Sequence, residues 1–206
     1  MPNWVSNHVQ CANTDALSRL RDFSLIIPEH PAIALLSGLA AQHAAQLYQQ
    51  GKSWRAVATD PAFVASLDQE QKDTPAKHRL TPERAARRYL LYCKVHGCVD
   101  WYDWRCEHWG SKWNVYHYRH QGGEVWFETA LMHPWPVLEA LSRQFPAEVF
   151  SVSYADEDIG SDTGTYEMQN GKLLTGGEPD DGSREAFELA FFHWGGEEDY
   201  VLCDGN

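Results

Sequence analysis

The alternation of apolar and polar positions changes character twice along this chain, becoming helical near Pro28 and alternating again after Gly97. Trp4–Cys11 reads as a strand with Val5 and Val9 among polar neighbours. Asn13 or Thr14 then caps a short helix carrying Ala16, Leu17, Leu20 and Phe23. From Pro28 onward a block of helices is expected. Pro31 stands at a first-turn position, an apolar stripe runs through Ile33, Leu36, Ala40, Ala44 and Leu47, and Gly51 stops it. Asp60-Pro61 and Thr81-Pro82 each place a capping side chain before a proline, the second opening a helix with Ala85, Ala86, Tyr89, Leu90 and Cys93. The polar stretch 68–80 between them reads as an exposed loop.

Beyond Gly97, residues 113–119 and 124–130 are rich in Val, Tyr, Trp, Phe and Thr, and Gln121-Gly122-Gly123 between them signals a hairpin. Pro136 begins a helix with Val137, Leu138, Leu141 and Phe145 inward, Pro146 ends it, and Val149–Tyr154 forms the next strand. A second hairpin over 164–175 turns at Asn170-Gly171. Ser183 then caps a last helix with Phe187, Ala190, Phe191 and Trp194 on one face. Without the helical block the first six elements run βαββαβ, the order of the ferredoxin-like fold, an antiparallel sheet with helices on one face. The expected organisation is therefore α+β. Residues 1–27 and 97–206 form the ferredoxin-like domain with a C-terminal hairpin and helix, and 28–96 form a helical insertion between the first helix and the second strand.

Composition narrows the possible functions. With 206 residues, 43% hydrophobic and 22% charged, the chain is long enough for one sizeable core or two small ones. No basic segment followed by an apolar run opens the sequence, and no apolar stretch is long enough to span a bilayer, so a cytoplasmic location and no membrane contact are expected. Five cysteines in no scaffold spacing suit a reducing compartment. The net charge of −12 is uneven. Residues 1–95 hold 11 Lys and Arg against 8 Asp and Glu, a net of +3, whereas 96–206 hold 6 against 21, a net of −15. Such a half repels phosphate backbones, which argues against non-specific nucleic-acid binding and for a basic protein as partner. Oligomeric state is not legible.

Four tryptophans, Trp101, Trp104, Trp109 and Trp113, fall within thirteen residues in the run WYDWRCEHWGSKWN. Tryptophan anchors dominate many interfaces, so this run is a candidate recognition surface, with Asp103, Arg105 and Lys112 as its polar contacts. Packing of Trp101, Trp104 and Trp109 beneath the sheet is the favoured account. Gly110 suits a close backbone approach or a positive φ. The opening MPNWVSN, this run, and VWFETALMHPWPVLEALSRQFP leading into VFSVSYADED together resemble the YubB-like (Api-like) family. These are proteins of unknown function from bacteriophages and conjugative plasmids, described as containing a ferredoxin-like domain. The resemblance covers residues 1–8 and about 97–175. The family's Asn-Trp-Gly-Thr-Lys-Trp-Asn pattern appears here as His108, Trp109, Gly110, Ser111, Lys112, Trp113 and Asn114. Leu131, Met132, His133 and Pro134 stand where relatives show Trp-Ser-Pro-Pro. The resemblance implies a fold and a genomic habitat but no activity, cofactor or catalytic residue.

Other clusters carry weaker chemistry. Cys93, His96, Cys98, Cys106 and His108 only loosely fit zinc-ligand spacing, and unliganded core cysteines are the favoured reading. Asp156, Asp158, Asp162 and Glu167 sit at positions 1, 3, 7 and 12 of DEDIGSDTGTYE. Gly160 occupies a ligand position and Ser161 replaces the turn glycine, which points to a solvated acidic loop rather than a calcium loop. His117, His120 and His133 with Glu128 could form an acid/base group, although no nucleophile accompanies them and surface histidine is preferred. Trp126 and Phe127 supply the exposed aromatics an RNA-binding sheet needs, but the acidic surround opposes it. The expected function is a non-catalytic accessory protein that contacts a basic protein through its acidic C-terminal half, Asp156, Glu157, Asp158 and Asp162 included. One form of it is DNA mimicry, which requires carboxylates of 156–162, 178–181 and 197–199 to form one stripe. The alternative is a small metal-dependent enzyme or metal-binding domain using the Cys/His or Asp/Glu groups. A third possibility is an assembly role with the tryptophan run self-associating.

Overall fold

The computed structural model describes residues 3–31, 33, 37–97 and 100–196. In chain order the first elements are β1 (Trp4–Gln10), α1 (Thr14–Arg19), α2 (Leu39–Gln49), α3 (Trp54–Ala58), α4 (Pro61–Glu70), α5 (Pro82–His96) and α6 (Trp101–Trp109). Then come β2 (Tyr116–Gln121), β3 (Glu124–Ala130), α7 (Trp135–Gln144), β4 (Phe150–Asp156), β5 (Thr163–Gln169), β6 (Lys172–Gly177) and α8 (Arg184–Trp194). They divide into two compact units, Met1–Pro28 with Arg105–Asn206, and Glu29–Trp104.

The first unit is built on one six-stranded antiparallel sheet in the order β2-β3-β1-β4-β5-β6. β1 lies in its centre, paired with β3 and β4. Each half of the βαββαβ order therefore skips a strand, which is the split βαβ arrangement of ferredoxin-like folds. The strand register puts Val5, Asn7, Val9, Val125, Phe127, Val152, Tyr154 and Tyr166 on one face, and Ser6, His8, Trp126, Glu128, Ser151 and Ser153 on the other. On the first face α1 packs against β3 and α7 against β5, burying Leu17, Val137, Leu138 and Leu141. α8 covers the second face, where His193 bonds Ser6 and Ser153 at 3.0 Å each and Phe192 approaches Trp126. β1 is consequently buried from Val5 to Val9 on both sides despite its polar Ser-Asn-His centre.

Several elements differ from expectation. Helix α2 begins at Leu39 and not near Pro31, because Gly38 has φ +93, a conformation no helix can pass through; Leu36 lies outside the described residues. α3 arises within the expected block, capped by Ser53. The stretch 68–80 is only partly a loop, since α4 continues to Glu70 and a 3₁₀ turn spans Ala76–His78. The alternating period does not start at Gly97. Residues Trp101–Trp109 are helical, with aromatic and polar side chains spread around all sides, so no apolar stripe betrays the helix. β2 begins at Tyr116, and its register shifts between Tyr116 and Arg119, where His117 has φ +47.

The Glu29–Trp104 unit has its own core of Ala40, Ala44, Val57, Ala58, Phe63, Leu67, Ala85 and Ala86, with Leu47, Leu80, Tyr89 and Leu90 packed against it. Small residues dominate that core because α2, α4 and α5 approach closely. Asp60 and Thr81 cap α4 and α5 through their side-chain oxygens, as their sequence positions before proline predict.

Candidate functional site

Residues 131–135, the end of β4, the 156–162 loop and the start of the 178–182 segment border a half-open cavity of about 290 Å³. It is lined by Val5, Leu131, Met132, His133, Trp135, Tyr154, Asp156, Asp162 and Glu178. Its inner wall is built on the polar centre of β1. Asn7 is fully buried and donates its amide hydrogens to Val5 O at 2.9 Å, Thr129 Oγ1 at 3.0 Å and Phe127 O at 3.4 Å. Its Oδ1 therefore faces His133 Nδ1, 2.7 Å away, which fixes that nitrogen as the protonated one. Nε2 then accepts from the Tyr166 hydroxyl at 2.8 Å. With both nitrogens satisfied as neutral imidazole, and with burial and then the charge of His193 opposing protonation, the His133 pKa is lowered to about 3. Tyr154 stacks on the His133 ring at 4.0 Å.

Carboxylates make up the rest of the wall. Asp156 is 3% exposed at the floor. Its Oδ1 accepts the Asp158 amide at 2.8 Å and the Asn3 side chain at 3.5 Å, and Oδ2 meets no donor among the described residues. Burial, followed by the charges of Asp162, Glu157 and Asp158, raises its pKa. At the exposed rim, Glu178 accepts the Tyr154 hydroxyl at 2.7 Å, and Tyr154 is held far above the usual phenol range by burial first and then by Glu178 and Asp162. Two lining residues, Leu131 at φ +79 and Asp162 at φ +45, are non-glycine residues in the left-handed region. Such strain persists only where surroundings hold it and gathers at functional sites.

The acidic segments are tied together. Gly182 N donates to Gly160 O at 2.8 Å and Asp162 N to Asp181 Oδ1 at 3.3 Å, so the carboxylates of 156–162 and 178–181 share one surface. Residues 197–199, the third expected part of that stripe, lie outside the described residues. A larger groove of about 550 Å³ on the α8 side of the sheet is lined by His117, Arg119, Glu124, Trp126, Glu128 and His193 among others. Its carboxylates are bonded to imidazoles, Glu128 to His117 at 2.7 Å and Glu124 to His8 at 3.0 Å, and Arg119 adds positive charge beside them. The smaller cavity, whose carboxylates form no ion pair among the described residues, is the stronger site.

Of the residues singled out in the sequence, Asp156 and Asp162 line the cavity, and Glu157 and Asp158 stand exposed beside it. The boundary between the two compact units falls within the tryptophan run. Trp101 and Trp104 belong to the Glu29–Trp104 unit, while Arg105, Trp109, Lys112 and Trp113 belong to the other. Trp109 is 2% exposed, donates its indole N–H to Ile27 O at 3.0 Å and meets Phe23 edge-on; the Arg105 guanidinium lies over its ring at 5.1 Å. Trp113 packs with Trp4 and Tyr116, and Lys112 Nζ lies 4.8 Å above it. Gly110 has φ +67, and a side chain there would meet His133 O and Pro136 Cδ at 2.9 Å, so both conditions expected of it hold. Ser111 and Asn114 bond the run to Ala130 and to Phe23 and Asp22.

The three histidines do not converge. His117 and His120 lie on β2 at the sheet edge, His120 bonding Gly122 O, whereas His133 is held inward on the opposite face and is no surface histidine. Phe127 is 2% exposed in the core. Trp126 is half-buried, stacking on His8 and meeting α8, so of the two aromatics of an RNA-binding sheet one is in the core and the other only partly exposed. Among the described residues, no three His, Cys, Asp or Glu side chains are placed to hold a metal ion, and no helix is long and apolar enough to cross a membrane. Cys98 lies outside the described residues. Tyr154, Tyr166 and Trp135 were not foreseen as site residues, whereas Glu178 belongs to the 178–181 part of the expected acidic stripe. The signal for the inner wall was the Ser-Asn-His triplet interrupting an apolar strand.

Fold and site define a ferredoxin-like α+β domain with a recess at one end of its sheet. Residues 112–196 match a family model described as the ferredoxin-like domain in Api92-like protein. β1 and α1, which complete the βαββαβ order, precede the matched residues. A crystal structure of the protein api92 from Yersinia pseudotuberculosis is similar to this chain with a TM-score of 0.42 and 13% identity, over 89% of this chain and 100% of that one. No curated protein matches the sequence.

Proposed function

We propose that this protein is a non-catalytic binding protein whose acidic C-terminal half engages a basic protein partner, with the 156–162 and 178–181 surface as its contact. The observation that carries the reading is the lacing of these two acidic segments into one surface whose side chains form no ion pair among the described residues. Surface carboxylates gathered without cations repel one another and steer cationic partners. The phage and plasmid habitat implied by the resemblance fits a protein that acts on a host component, and DNA mimicry is one form this takes. On this reading Glu29–Trp104 is an insertion carried by the ferredoxin-like domain.

The test is affinity capture from bacterial lysate with the intact protein and with a variant carrying Asp156→Asn, Glu157→Gln, Asp158→Asn and Asp162→Asn. A retained protein is then purified and titrated against both. A basic partner bound by the intact protein and at least about tenfold more weakly by the variant supports the reading. Equal binding of the same partner by both removes the acidic surface as the determinant. For the mimicry form, DNA must compete with this protein for the partner.

A further inference from the structure

The cavity beneath that surface has a chemistry more specific than negative charge. We propose that it seats a single guanidinium group, the arginine side chain of the basic partner; the inference rests on the acidic-surface reading above. Three observations point the same way. Asp156 is more than nine-tenths buried, lines the cavity and keeps one carboxylate oxygen without a donor among the described residues. That oxygen opens into the cavity rather than being sealed from solvent, so an incoming cation can meet it directly. Asp162 and Glu178 add negative charge at the rim, and among the described lining residues the one basic side chain, His133, is committed to Asn7 and Tyr166 as a neutral ring. Finally, Trp135 stands 39% exposed at the opening, an aromatic surface beside the acids.

Arginine answers this arrangement better than lysine. Its planar fork donates to several carboxylate oxygens at once and stacks on an aromatic ring, and it is more weakly hydrated than an ammonium, so entering a recess costs less. The volume of about 290 Å³ lies at the bottom of the roughly 300–1,000 Å³ range of small-molecule sites, which suits one side chain rather than a larger ligand. The raised pKa of Asp156 agrees: burial first, and then the neighbouring acids, disfavour its charged form, and a bound cation would offset both. Binding should accordingly release a proton near the pH where Asp156 titrates, and weaken below it.

The test follows backbone and indole resonances by NMR while the intact protein is titrated with Nα-acetyl-arginine methylamide, its lysine and citrulline counterparts, and free arginine. The expected result is saturable shifts at Leu131–Trp135, Tyr154 and Asp156 with the arginine compound, at least about tenfold weaker binding of the lysine compound, and none of the neutral citrulline compound. Free arginine should bind more weakly than the blocked form, because its α-carboxylate meets the acidic rim. Asp156→Asn and Glu178→Gln preserve the Asp158 and Tyr154 hydrogen bonds and should each abolish the shifts. Trp135→Ala, at an exposed position, should weaken the arginine compound more than the lysine one. Absence of saturable shifts overturns the proposal, as does equal binding of arginine and lysine compounds, and tighter binding of free arginine overturns the side-chain assignment. If the cavity fails while the captured partner still depends on the acidic surface, only the cavity inference falls; if both fail, the functional reading falls with it.

Discussion

Asn7 shares two amide hydrogens among three acceptors and offers one oxygen acceptor inside the sheet, so its removal strands His133 Nδ1 and Thr129 as well as its own site. Leaving buried polar groups unmatched costs roughly 1–3 kcal/mol each. Asn7→Leu should therefore lower unfolding free energy by at least about 2 kcal/mol in urea titration; a change within experimental error would deny the hub role. Asp156 has the opposite sign. Its charged form is disfavoured in the folded protein, so Asp156→Asn should raise the melting temperature of the free protein at neutral pH while losing cation binding, the mark of a residue kept for function. A lowered melting temperature would make Asp156 structural. Gly110→Ala forces a side chain into a left-handed backbone position against His133 O and Pro136 Cδ, and should cost at least about 2 kcal/mol by the same measurement.

Among the elements, α8 decides the state of the second sheet face. Its His193 lies between Ser6 and Ser153, and burial, then the charge of His8, lowers its pKa to about 4. His133 on the other face stands at about 3. In the unfolded chain both return to about 6.5. Between those values the unfolded state binds more protons, so stability is full above about pH 6.5 and declines as pH falls toward 4, by up to about 1.4 kcal/mol per pH unit for each histidine. Asp156 works against this trend, because its folded form takes up a proton more readily than its unfolded form. Urea titrations from pH 7 to 4 should show the decline, and His193→Gln should flatten it. An unchanged slope in that variant would remove His193 as a cause.

At the scale of the molecule, charge separates the halves of the chain. Residues 96–206 carry a net −15, and the described part of that excess includes a surface in which 156–162 and 178–181 adjoin. Exposed charges act over about one Debye length, near 8 Å at physiological ionic strength, so their main effect is on encounter. Stopped-flow measurement with the captured partner should show an association rate that falls steeply with added salt while dissociation changes little. A salt-independent association rate would leave the acidic surface without a steering role.

The periodicity of the chain was enough for β3, both hairpin turns, and the caps at Asn13, Asp60, Thr81 and Ser183, because these depend on near-neighbour geometry: alternation, a left-handed glycine, a side-chain oxygen ahead of a helix. α6 escaped it, since aromatic residues on every side of a helix leave no period to read. The candidate site divides in the same manner. Asp156 and Asp162 were visible as an acidic loop, but Tyr154, Glu178 and Trp135 join them only through the sheet register and the bond that ties 182 to 160. His133 looked like a surface histidine for the same reason: its partners Asn7 and Tyr166 lie 126 and 33 residues away. What the sequence alone determined is the class of fold and the sign of its charge, which follow from local pattern and composition. Only the tertiary structure decided which polar groups are buried and which carboxylates go unpaired, because burial and pairing depend on the long-range register of strands distant in the chain.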